Sequence, residues 1–121
     1  MRYATARSSI PFPGDGPEVL AVGAVDTAGQ RVDYSSCGPV SSRHKPDLVA
    51  QVPFPSLWRP RPFSGTSAAA PQAAGLAALV WSRHPGWTAR QVRDSLLHSA
   101  HDLGPPGPDD ETGYGLIELP K

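Results

Sequence analysis

The chain has 121 residues, a formal net charge of zero, 39% hydrophobic residues and 18% charged ones. That length bounds it to one domain or less, with a modest core that would remove about two thirds of the unfolded surface from water. The charge balance gives no footprint for nucleic acid or an anionic membrane, and no stretch reaches the ~18 apolar residues of a membrane span.

Met1-Arg2-Tyr3-Ala4 has no apolar signal core. Residues 1–18 carry Pro11, Pro13 and Pro17 with Gly14 and Gly16, and read as a loop. Residues 19–25 are an unbroken apolar run, as expected of a strand covered on both faces in a parallel sheet. Asp26-Thr27-Ala28-Gly29 is a turn signal, and Val32–Ser35 is expected to be a second short strand. Cys37, the only cysteine, cannot form an internal disulfide and leaves the redox compartment open; beside Gly38 it reads as a small buried apolar residue. Leu48-Val49-Ala50 is expected to be a third strand. The prolines between 53 and 62 stiffen the loop that follows, with Trp58 either exposed there or folded onto the core. Residues 67–83 are apolar nearly all round, the mark of a buried helix. Pro71 falls in its first turn, where a missing N–H costs little, and Gly75 is expected to permit close packing. Thr88 is expected to cap a helix over 89–100 that presents Val92, Leu96, Leu97 and Ala100 on one face. Residues 104–108 are a loop and 115–119 a final strand.

Chemistry concentrates at Gly65-Thr66-Ser67. A serine at a helix N-terminus lies among backbone N–H groups that have no partner inside the helix, at the positive end of its dipole. Negative charge developing on a reacting oxygen is stabilised there. Ser67 is therefore a candidate nucleophile, and its own N–H a candidate oxyanion donor. The competing reading is a serine that only caps the helix.

The longer string Gly65-Thr66-Ser67-x-Ala69-x-Pro71, with Ala74-Gly75 following, resembles the nucleophile motif of subtilisin-like serine proteases (subtilases, peptidase family S8). Three further blocks agree and come in the family's order. Val19–Asp26 with Tyr34-Ser35-Ser36-Cys37-Gly38-Pro39 resembles the segment preceding the serine. Lys45-Pro46-Asp47-Leu48-Val49-Ala50 is similar to the family's K-P-D-V-V-A. His84-Pro85-Gly86-Trp87-Thr88 through Gly113-Tyr114-Gly115-Leu116-Ile117 is similar to the closing helix and terminal strand. The blocks cover nearly the whole chain. They imply an α/β fold: part of a subtilisin-like three-layer domain, with C-terminal strands of a parallel sheet, a buried serine-bearing helix and a second covering helix.

The resemblance also implies a triad in the chain order Asp, His, Ser. The family's Asp-Ser/Thr-Gly and His-Gly-Thr-His motifs are not found here, and the chain contains no asparagine to supply the family's oxyanion side chain. Residues 1–121 are thus expected to be an incomplete domain, the C-terminal segment of a subtilase catalytic domain. By the same resemblance Ile10, Pro11, Phe12, Pro13 and Gly14 line the pocket for the substrate side chain N-terminal to the cut, with a plain surface loop as the alternative. The four histidines offer no replacement base. His44 and Asp47 fall in a loop and a strand start. His84 lies roughly 25 Å along the serine helix at ~1.5 Å per residue. His98 and His101 end the next helix, where histidine complements the dipole.

No spacing resembles a zinc site. The family admits calcium, but this segment gives no support for it, so no cofactor is expected. The expected partners are a polypeptide substrate and either the N-terminal part of the domain or a complementing chain, with no nucleic acid and no membrane. Secretion would need a signal upstream of this segment. Three functions are weighed: a segment of a serine endopeptidase, a catalytically inactive interaction module, and one half of a split protease. An isolated chain is expected to expose a large apolar patch.

Overall fold

The computed structural model describes residues 7–41 and 43–121; the reading of residues 1–6 lies outside the described residues. Two short strands and two helices follow in chain order: β1 (Val22–Val25), β2 (Leu48–Gln51), α1 (Thr66–Arg83) and α2 (Ala89–Ser99). β1 and β2 pair in parallel, from Val22 opposite Leu48 to Val25 opposite Gln51. Gly23, Ala24, Val25 and all of Leu48–Ala50 are buried, as a run without polar alternation requires.

β1 is shorter than the apolar run that announced it. Its entry is held by a side chain as well as by backbone: the Ala21 N–H donates to Asp47 Oδ2 at 2.7 Å, and Ala21 O accepts from Asp47 N–H at 2.8 Å. The strand expected at Val32–Ser35 is instead a turn that closes the exit end of β1. Val32 N–H donates to Ala24 O at 3.1 Å, and Ala24 N–H donates to Ser35 Oγ at 2.9 Å. The serine hydroxyl takes a bond a neighbouring strand would otherwise make. The final strand also reduces to a bridge at Leu116. Val49 N–H donates to Gly115 O and Ile117 N–H donates to Val49 O, both at 3.0 Å. The opposite side of Leu116 exchanges two 2.8 Å bonds with His101. Between such neighbours one residue is pinned and no ladder extends.

The core has two centres. Ala24, Ala50, Val52, Ala68 and Ala69 pack where the start of α1 meets the strands. Leu48, Val80, Val92, Leu96 and Leu97 pack where the end of α1 meets α2. The expectation that α1 is buried all round is corrected: Ala68, Ala69, Ala73 and Val80 are buried, whereas Ala70, Pro71, Ala74, Ala78, Leu79 and Trp81 are exposed. Gly75 is not closely packed among the described residues, since a Cβ there would meet open space. The apolar composition serves two faces, and the described residues cover one. α2 starts one residue after Thr88 and ends at Ser99. Thr88 Oγ1 accepts from Gln91 N–H at 3.2 Å while Gln91 Oε1 accepts from Thr88 N–H at 2.8 Å, a reciprocal cap.

Candidate active site

Ser67 does not cap α1. Gly65 is the cap residue, with no side-chain bond, and the helix starts at Thr66. Gly65 sits at φ 87° and ψ 168°, a backbone region open essentially to glycine alone. That turn drops the chain into the helix so that Ser67 is its second residue. Ser67 is exposed, and neither its hydroxyl nor its N–H has a hydrogen-bond partner among the described residues. The first turn of α1 carries no acidic residue, so nothing there competes for the positive end of the dipole. The arrangement offers a free hydroxyl and an unpaired N–H at the same residue.

The turn is braced by Tyr34. Gly65 N–H donates to Tyr34 Oη at 3.1 Å, and the Tyr34 and Ser64 hydroxyls lie 3.4 Å apart. Gln72 ties the helix to the sheet: its Nε2 donates to Gln51 O and Ala68 O, both at 2.9 Å. Sequence reasoning assigned no role to Tyr34 or Gln72. Their signal was present as hydrogen-bonding side chains inside the matched blocks, but spacing alone does not say what they reach. Beside this start of α1 runs an open groove of about 590 Å³, lined by Phe54, Phe63, Ala68, Leu76, Leu79 and Ile117 among others.

No histidine contacts Ser67. His44 Nδ1 lies 2.8 Å from Asp110 Oδ1. His84 stacks on Trp87 with ring centres 3.9 Å apart. His98 Nδ1 lies 2.6 Å from Asp94 O, and His101 Nδ1 lies 3.9 Å from Glu118 Oε1. Asp47 is committed to a buried network: Lys45 Nζ donates to its Oδ2 at 2.6 Å and Arg93 Nη2 to its Oδ1 at 3.0 Å.

The model of the subtilase family matches residues 3–115. The chain belongs to the subtilase family. It is 41% identical over 97 residues to subtilisin of Bacillus pumilus, a match covering 80% of this chain and 35% of that protein. It is 38% identical over 113 residues to a thermostable alkaline protease of Halalkalibacterium halodurans, covering 93% of this chain and 30% of that one. Among solved structures, the Clostridium perfringens CspB protease superposes with a TM-score of 0.78 at 25% identity, over 93% of this chain and 28% of that one. The fold is therefore the subtilisin-like α/β fold. This subtilase chain spans about a third of the length of these curated relatives.

Of the other predicted positions, Gly65 and Thr66 immediately precede Ser67 and Pro71 follows it in α1. Pro11, Phe12 and Pro13 are exposed, and Ile10 and Gly14 half-buried; the loop does not line the groove beside α1. Trp58 is 95% exposed, which decides between its two readings. Cys37 is buried as expected, and that burial pushes its thiol above its ordinary value, with Glu111 and Asp110 adding and Arg31 and Arg7 opposing.

Proposed function

We propose that this chain carries the nucleophile of a serine endopeptidase and works with the N-terminal part of a subtilase domain, in the same protein or on a complementing chain. Ser67 Oγ attacks the carbonyl carbon of the scissile peptide bond. A histidine outside this chain takes the hydroxyl proton and returns it to the leaving amine, oriented by an aspartate also outside it. Water then releases the acyl group from Ser67. The Ser67 N–H and an asparagine from the other part hold the oxyanion. Ile10, Pro11, Phe12, Pro13 and Gly14 form one wall of the pocket for the substrate side chain before the cut, and Gly65, Thr66 and Pro71 shape the turn.

The observation that carries this reading is the partnerless Ser67 hydroxyl at the second residue of α1. A scaffold has no use for an oxygen there, since the Gly65 turn forms without it. An inactive interaction module would be served equally by alanine. All four histidines are engaged elsewhere, so the base comes from outside. The test is labelling by a fluorophosphonate probe, for the chain alone and after mixing with the N-terminal part of a subtilase domain bearing Asp and His. Weak labelling alone, strong labelling after mixing and none in Ser67→Ala are expected. Strong Ser67-dependent labelling of the lone chain would refute the need for an outside base.

A further inference from the structure

The segment just before Ser67 forms a stiff projection. Phe54 and Phe63 pair antiparallel, with Phe54 N–H donating to Phe63 O at 2.7 Å and Phe63 N–H to Phe54 O at 3.0 Å. Pro55, Pro60 and Pro62 lie in the connection and Pro53 precedes it, each fixing its φ. At the tip, Ser56 Oγ accepts from Trp58 N–H at 3.2 Å, and Leu57 and Trp58 stand 103% and 95% exposed. The Arg59 guanidinium sits 4.9 Å over the Phe63 ring, and neither Arg59 nor Arg61 has an acidic partner among the described residues. Although the chain is neutral overall, no acidic residue occurs between Asp47 and Asp94. At its base, Phe54 and Phe63 line the same groove as Ala68, the residue after Ser67. The carboxylate on that groove is Glu118, which faces His101.

We infer that this hairpin is a substrate-docking arm selecting polypeptides with an acidic segment that carries apolar side chains beside the cleaved region. This rests on the reading of Ser67 as the nucleophile and names the substrate class. Trp58 is the apolar anchor, and tryptophan and arginine are both enriched among the residues that dominate interface energetics. Arg59 and Arg61 receive the carboxylates. Because the prolines hold the arm before it binds, little ordering cost falls on binding. Its place on the groove at the start of α1 favours a peptide over a membrane surface.

The full 121-residue chain with Ser67→Ala, which cannot consume the probe, is titrated with a fluorescein-labelled peptide of alternating Glu and Leu and with its Lys-for-Glu counterpart. Anisotropy is read at low and high salt, and circular dichroism confirms that each variant keeps its helices. The acidic peptide is expected to bind and to weaken with salt. Arg59→Glu and Arg61→Glu should each weaken it about fivefold and together reverse the preference; Trp58→Ala should weaken it about tenfold or more. Absent binding, equal binding of both peptides, or acidic-peptide binding indifferent to these variants overturns the inference. So does Trp58-dependent partition onto phosphatidylserine vesicles without peptide binding. Because Ser67 is absent throughout, these results stand apart from the probe-labelling test.

Discussion

Replacing Asp47 with alanine is expected to destabilise this segment strongly, because Asp47 is the centre of a buried network. Its side chain is 6% exposed and that of Lys45 2%. The carboxylate accepts from Lys45 Nζ, from Arg93 Nη2 and from the Ala21 N–H. Asp47→Ala leaves a buried ammonium whose remaining partner among the described residues is Val19 O at 2.7 Å. Arg93 is 26% exposed and recovers water, so the cost falls mainly on Lys45. Breaking a buried pair from one side costs about 3–5 kcal/mol. A domain this size has on the order of 10 kcal/mol in total. Lys45→Met leaves Asp47 with two donors and is expected to cost less, about 1–3 kcal/mol. Removing both groups, as Lys45→Met with Asp47→Leu, strands no charge and should be milder than Asp47→Ala. Urea unfolding followed by far-UV circular dichroism measures all three. An Asp47→Ala loss below about 1 kcal/mol, or a double variant worse than Asp47→Ala, would refute the reasoning.

Gly65→Ala forces a side chain into a glycine-only backbone region and should cost about 1–3 kcal/mol, while also lowering probe labelling of Ser67 in the complemented protein; unchanged stability and labelling would contradict the turn's role. Cys37 should react with a disulfide reagent much more slowly in native than in urea-unfolded protein, since its thiol is buried and its ionisation raised. Because the neutral thiol is favoured on folding, its contribution is fully present below the unfolded value and lost as pH rises through the folded one; Cys37→Ala should flatten that alkaline decline.

The elements with a local cause could be read from the sequence. Thr88 and Gln91 announce the start of α2, and Gly65-Thr66-Ser67 before the alanine run announces the start of α1. What could not be read depends on partners distant in the chain. Val32–Ser35 looks like a strand by composition, yet the Ser35 hydroxyl turns it into the stop of β1. Residues 115–119 look like a strand, yet Leu116 is held between β2 and His101. The apolar girth of α1 says that both faces seek cover, without saying which face these residues supply. At the site, the place of Ser67 at the start of α1 was legible because glycine, serine and the alanine run are adjacent. Tyr34 was not, because its role exists only once residue 34 is folded against residues 64 and 65.

The bridge at Leu116 also fixes an order of events during synthesis. β2 has one edge against β1, whose residues are made before it, and its other edge against Gly115–Ile117, which are made only after α1 and α2. Until they emerge, Val49 has neither its donor nor its acceptor on that side, and a strand edge lies open. Completion of this edge therefore waits until both helices have been made, and loss of Gly115–Ile117 would undo it more thoroughly than their number suggests.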